Sequence, residues 1–273
     1  MHSNENEEDV VKKMQGDSRY PTVSITLVQS SDLDKAEELG IQATDQALNV
    51  LRFYLPSFRG MIRGKELKEV KRAIMIANIT NKTQYAEKME LCNFVDPLNS
   101  DEIIDHDAVL TLRSHRFDVI HRLLNKPITE LSPLQRDILN ATYWIGNAAK
   151  DVINTDKLIK YVIALDTLLS QDRRDKSEVV AKRFTAIVNQ KSPEDKVIEN
   201  YRKIKNYYEL RNDIVHAGHR YIDGSILQEF MMLVFNLVYD LLFYVDKYRT
   251  VLELQQQVFP INEELFQKYE DNC

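Results

Sequence analysis

Cysteine is nearly missing from this chain: Cys92 and Cys273 are the only two in 273 residues. A disulfide framework and a Cys-based zinc site therefore both lack ligands. Glycine and proline number 7 each, well under the roughly 7% and 5% of average usage, and that shortage favours long helices. There is no Walker-type glycine loop, no nucleophile elbow and no His-Glu-x-x-His. Nucleotide-dependent and zinc-dependent hydrolysis thus find no support, and no cofactor is expected. The most apolar stretch, Met231 to Val245, is broken by Asn236 and Asp240 and falls short of the roughly 20 residues of a membrane span. No apolar N-terminal segment resembles a signal peptide, so a cytoplasmic location without a membrane partner is expected.

Neither sign of charge dominates: 36 basic against 42 acidic residues give a formal charge of −6. That balance argues against non-specific adhesion to nucleic acid while leaving room for a local basic groove. With 44% hydrophobic and 29% charged residues, the chain has ample material for a core.

Residues 1–19 are polar and read as a flexible leader. Val23, Ile25 and Leu27 alternate within Thr22–Gln29, the pattern of a half-buried strand. Asp32 or Asp34 is placed to cap a helix to about Leu55, ended by Pro56 and Gly60. Two further strands are expected around Ala73–Ile79 and Met89–Phe94. From Ser132 the pattern turns helical. Ser132-Pro133 is an N-cap followed by Pro at the first helical position, opening a helix to about Ala149. Others are expected at about Thr155–Ser170 and Lys176–Asn189, from Ser192-Pro193 to Ala217-Gly218, and from Ser225 to Leu254. The expected fold class is α-rich α+β: a small α+β region over 20–130, a bundle of about five helices over 131–254, and a tail over 255–273. Met231–Val245 reads as a central bundle helix, or as one that also lines a dimer interface, because all-round apolarity asks for contacts on more than one side.

The fourth of these helices carries the most informative stretch. Its expected core stripe is Val197, Tyr201, Ile204, Tyr208, Arg211 and Val215, which puts a guanidinium where the helix turns inward. A buried arginine is costly unless it is paired or offered to an anion. Asn212 and His216 are four apart and share the adjoining face. Arg211 and His216 would lie about 140° apart on an ideal helix. They converge only if the helix end loosens before Gly218, a natural C′ residue. Asp166 and Arg183 break apolar stripes on the second and third helices. The plain expectation is a salt bridge from Asp166 to Arg183 or Arg211, which would also orient Arg211.

The string Arg211-Asn212-Asp213-Ile214-Val215-His216 is similar to the R-x4-6-H motif of HEPN domains (higher eukaryotes and prokaryotes nucleotide-binding), with the characteristic polar residue after Arg. Ala141-Thr142-Tyr143-Trp144, Tyr161 to Leu169 with Asp166 where Glu is usual, Lys182-Arg183-Phe184 and Ile214 to Gly218 resemble the Apea-like branch. The likeness runs from about Ser132 to Leu254. It implies a HEPN-like bundle and a metal-independent endoribonuclease of toxin or anti-phage abortive-infection systems, with RNA, tRNA included, as substrate. It also implies a homodimer whose two motifs form one composite site, and is compatible with a regulatory or antitoxin partner. The catalytic set would be His216 as acid/base, Arg211 as phosphate clamp and Asn212 as support, with Asp166, Arg183 and Tyr208 behind them. The chemistry is sound: an unperturbed imidazole titrates near about 6.5, and a guanidinium fork matches phosphate oxygens. A HEPN module that binds RNA, nucleotide or protein without cleaving is the alternative, and a plain interaction bundle the third reading.

Arg173, Arg174 and Lys182 form a basic patch, either a solvated face or a track for an RNA backbone. Arg202, Lys203 and Lys205 add charge on the outer side of the fourth helix. Tyr207 and Tyr208 fit core packing at helical spacing better than base stacking. His219, three after His216, lacks a third metal ligand. His106, His115 and His121 read as solvated.

Overall fold

The computed structural model describes residues 33–55, 112, 115–170, 177–218 and 221–270. The three expected strands and the leader lie outside these residues. Every regular element among the described residues is helical, and none of those helices is long and apolar enough to cross a membrane. The chain divides into two compact units, Met1–Gln46 with Gly60–Asp101, and Ala47–Arg59 with Glu102–Cys273.

In the first unit the described residues are the first turns of α1 (Leu33–Tyr54), where Lys35 donates to Glu38 at 2.7 Å. The second unit takes in the end of α1, then α2 (Phe117–Leu124), α3 (Pro133–Ala148), α4 (Asn154–Leu169), α5 (Ser177–Val188), α6 (Glu194–Ala217), α7 (Gly224–Leu241), α8 (Val251–Val258) and α9 (Glu263–Glu270). Its core runs through all of them: Phe53 of α1 and Leu123 of α2 are as buried as Leu134, Leu165, Phe184 and Phe230. That shared core is why α2 belongs to this unit. Helix α4 packs on α3, α5, α6 and α7 and forms its centre.

Ser132 opens α3 as the sequence indicates. Its Oγ accepts from the Gln135 N–H at 3.2 Å while Gln135 Oε1 accepts from the Ser132 N–H at 3.1 Å, a reciprocal cap. The same signal at Ser192-Pro193 acts differently. Asn189 Nδ2 donates to the Ser192 hydroxyl at 3.2 Å, Pro193 takes the cap position without a side-chain bond, and α6 starts at Glu194. Helix α3 also carries Gly146, where an added Cβ would stand 1.8 Å from the Asn49 carbonyl oxygen. Only a bare Cα lets the α1 backbone approach so closely.

The expected fifth helix stops at Leu241 instead of Leu254. A turn follows, and Thr250 Oγ1 accepts from the Glu253 N–H at 3.1 Å to start α8. The segment expected as a tail is ordered helix: Phe259 and Phe266 are buried, and Phe266 packs against Tyr201 with ring centroids 4.9 Å apart. Helix α7 buries Leu227, Phe230, Val234, Leu237, Val238 and Leu241 on one face, and leaves Ile226 and Met232 exposed.

Candidate functional site

The inward stripe of α6 is rotated from the expected one. Asn200, Tyr201, Ile204 and Tyr207 are its fully buried residues, Tyr208 and Arg211 are half-buried, and Val215 is 49% exposed. From Asn212 to Gly218 every residue but Ile214 is exposed. The last turns of α6 therefore keep Ile214 against the core and carry Asn212 and His216 into solvent. Gly218 ends the helix as expected, at φ +69°, its N–H donating to the Asp213 carbonyl.

The helix is regular to Ala217. Its end does not loosen before His216, so Arg211 and His216 keep the roughly 140° separation of five helical steps. Asn212 and His216 remain neighbours one turn apart on an exposed face. Arg211 Nη1 donates to Asn212 Oδ1 at 3.0 Å.

Behind them stands Asp166. The Tyr208 hydroxyl donates to Asp166 Oδ1 at 2.5 Å. Burial pushes the Asp166 carboxyl above the usual range, while the Tyr208 hydrogen bond and the nearby Arg211 charge pull it back. The Tyr208 phenol is pushed well up by burial and by the Asp166 charge, so it stays a donor. Of the two arginines expected beside Asp166, Arg211 acts on it electrostatically. Arg183 Nη1 instead donates to the Leu169 carbonyl at 2.6 Å and caps the end of α4.

Lys182 is 14% exposed at its side chain and pairs with Glu178 at 3.0 Å and Glu263 at 3.2 Å. An RNA backbone would have to displace both acids. Arg173, Arg174 and His219 lie outside the described residues. On the outer face of α6, Lys203 belongs to a chain of ion pairs: Lys196–Glu199 at 2.8 Å, then Glu199–Lys203 and Lys203–Glu229, both at 2.5 Å. Arg202 stacks over Tyr269 at 4.4 Å, and Lys205 over Tyr201 at 5.3 Å. Tyr207 stacks on Phe230 at 4.0 Å and donates to Glu229 at 3.0 Å, which takes it out of base stacking. His115, read as solvated, packs between Phe235 and Tyr239 at 6.0 and 5.8 Å.

No protein family, curated protein or solved structure matches this chain. The site therefore rests on its own residues. Two features of it went unread in the sequence. Asn154 Nδ2 donates to the Ile222 carbonyl at 3.0 Å, tying the start of α4 to the segment between α6 and α7. Tyr221, the residue before Ile222, is 73% exposed, and Ile153 and Val152, the residues before Asn154, are 56% and 93% exposed. No periodicity reports a loop aromatic, so neither feature had a sequence signal beyond the residue type.

Proposed function

We propose that this chain is a metal-independent endoribonuclease of the HEPN type, an effector of toxin or anti-phage defence, working as a homodimer on RNA. The observation that carries the reading is the end of α6, where Asn212 and His216 are exposed and half-buried Arg211 joins Asn212 beside the half-buried Asp166–Tyr208 pair. His216 serves as the acid/base group, Arg211 holds the phosphate, and Asn212 orients its neighbours. An imidazole takes the 2′-OH proton, the 2′ oxygen attacks phosphorus, and a second imidazole protonates the departing 5′ oxygen. This leaves a 2′,3′-cyclic phosphate. Because a regular helix holds Arg211 and His216 apart, a site using both fits two copies better than one. Exposed Val215, Ile226 and Met232 provide apolar surface that a second copy could cover.

The test is incubation of wild type, His216→Ala and Arg211→Ala with total RNA and with tRNA in EDTA. Cleavage by wild type alone, with 2′,3′-cyclic phosphate ends, is the expected result. Intact RNA with the purified dimer, even in a phage-infected extract, would overturn the proposal.

The alternative is a HEPN module that binds RNA, nucleotide or protein without cutting. It is favoured by the Arg211–Asn212 bond, which already engages the guanidinium within one chain. In that case His216→Ala leaves function intact, whereas changes on the bundle surface do not.

A further inference from the structure

We propose that α9 is a built-in competitor for RNA, covering the far end of a strand path that runs along α6 to His216. The proposal rests on the ribonuclease reading and adds to it the route of the substrate and the contact that restrains its entry. Helix α6 is regular from Glu194 to Ala217, so residues three and four apart line up. Arg202, Lys205, Glu209, Asn212 and His216 fall within about 80° of one another, and Arg202 lies about 21 Å from His216 along the axis. This line carries two cations, an amide and an imidazole against one carboxylate. It is centred about 130° around the helix from the Lys196, Glu199 and Lys203 ion pairs.

At the far end of that line, α9 holds the positions a strand would fill. The Tyr269 phenol oxygen accepts from Arg202 Nε at 2.6 Å, and its ring lies 4.4 Å from the guanidinium. Glu263 pairs with Lys182 of α5 at 3.2 Å. Phe266 packs on Tyr201, the ring that Lys205 overlies at 5.3 Å. Helix α9 thus brings a carboxylate, a phenol oxygen and two ring faces to these cations. A nucleotide strand brings the same chemistry, phosphate oxygens and base faces, in a line that also reaches His216. An acidic peptide shares the charge but gives Arg211 and His216 no phosphate. The cover is lightly held. Helix α9 has 8 residues, and Phe266 is the one fully buried among those described; a helix of that length does not persist alone. Its polar bonds are partly exposed and worth little each, so phosphates replace them at small cost.

The experiment uses the full chain with Glu263→Gln and Tyr269→Ala combined, which loosens α9 and leaves Phe266 in place. The probes are a fluorescein-labelled unstructured RNA 12-mer for cleavage and its 2′-O-methyl counterpart, which cannot be cut, for binding by anisotropy. The double variant is expected to bind the 2′-O-methyl strand about tenfold tighter at low salt, with KM for cleavage falling as much and kcat unchanged. Its logarithmic salt slope should steepen by about one, and adding Arg202→Ala should cancel most of the gain. Amide hydrogen exchange gives a second reading: bound strand should deprotect 263–270 in wild type and leave α3 unchanged. Equal affinity of wild type and the double variant, or an α9 still protected under bound strand, overturns the cover; cleavage by wild type then leaves the ribonuclease reading standing. Tighter 2′-O-methyl binding in the double variant, with no cleavage by either protein, sustains the cover and overturns the nuclease. If polyglutamate binds the double variant as tightly as the strand does, the face belongs to a protein partner and the proposal falls.

Discussion

The Tyr208 hydroxyl lies 2.5 Å from Asp166 Oδ1, on the turn of α6 that precedes Arg211. This bond supports a half-buried carboxylate, with the Arg211 charge as its further support. Tyr208→Phe removes the donor and leaves a half-buried acceptor without it, so it is expected to cost about 1 kcal/mol in urea unfolding. Asp166, relieved of the bond that lowers it, should titrate higher still, and RNA cleavage should fall less than in Arg211→Ala.

Asp137 and Asp240 are half-buried carboxyls that burial pushes up to about 6. The folded state then binds their protons more tightly than the unfolded chain, whose carboxyls titrate near about 3.9. Their protonated forms fit the fold best below about pH 4, and stability falls as pH rises from there through 6. Asp137→Asn and Asp240→Asn should each raise stability at pH 7 by about 1 kcal/mol, once partial solvent screening is allowed for. At pH 4 the gain should vanish. Melting curves of each variant across pH 4 to 8 decide it, and an equal gain at both ends would refute the burial account.

Gly146→Ala should be the most damaging methyl in the bundle, because the new Cβ meets the backbone of Asn49 and no rotamer relieves it. A loss of about 3 kcal/mol is expected. Gly224→Ala, in open space at the first turn of α7, should be neutral or slightly stabilising. Gly218→Ala should cost about 1 kcal/mol through its positive φ alone. Denaturant midpoints of the three variants give the order directly.

Phe266 anchors α9, a helix of 8 residues that is too short to persist unaided. Phe266→Ala is expected to melt it, costing about 3 kcal/mol overall or detaching the helix alone. Detachment would part Lys182 from Glu263 and Arg202 from Tyr269, read as a rise in RNA affinity at low salt and a small loss of helical circular dichroism.

The helices from α3 to α6 were legible because their signals are local. Ser132-Pro133 caps where it stands, and Gly218 ends α6 through its own φ. What escaped depends on neighbours. Ser192 fails to cap because Asn189 takes its hydroxyl, a contact that spacing cannot show. The stripe of α6 was read a step out because Tyr207 and Tyr208 are both apolar enough to be inside. The choice fell to Phe230, which stacks on Tyr207. Helix α8 had a readable start in Thr250 and Glu253, overlooked under the longer apolar run before it. Of the site, the motif residues and Asp166 were legible from residue type and position. The roles of Arg183 and Lys182 were not, since Leu169, Glu178 and Glu263 claim them only after folding.

The alternating Lys196, Glu199 and Lys203 of α6, closed by Glu229 of α7, leave little field for a polyanion to follow. A strand lying against that wall would release few counterions, so its affinity should vary with salt far less than one step per phosphate passed. Whatever docks at the end of α6 must be held by the shape of that end, with a salt slope of only one or two.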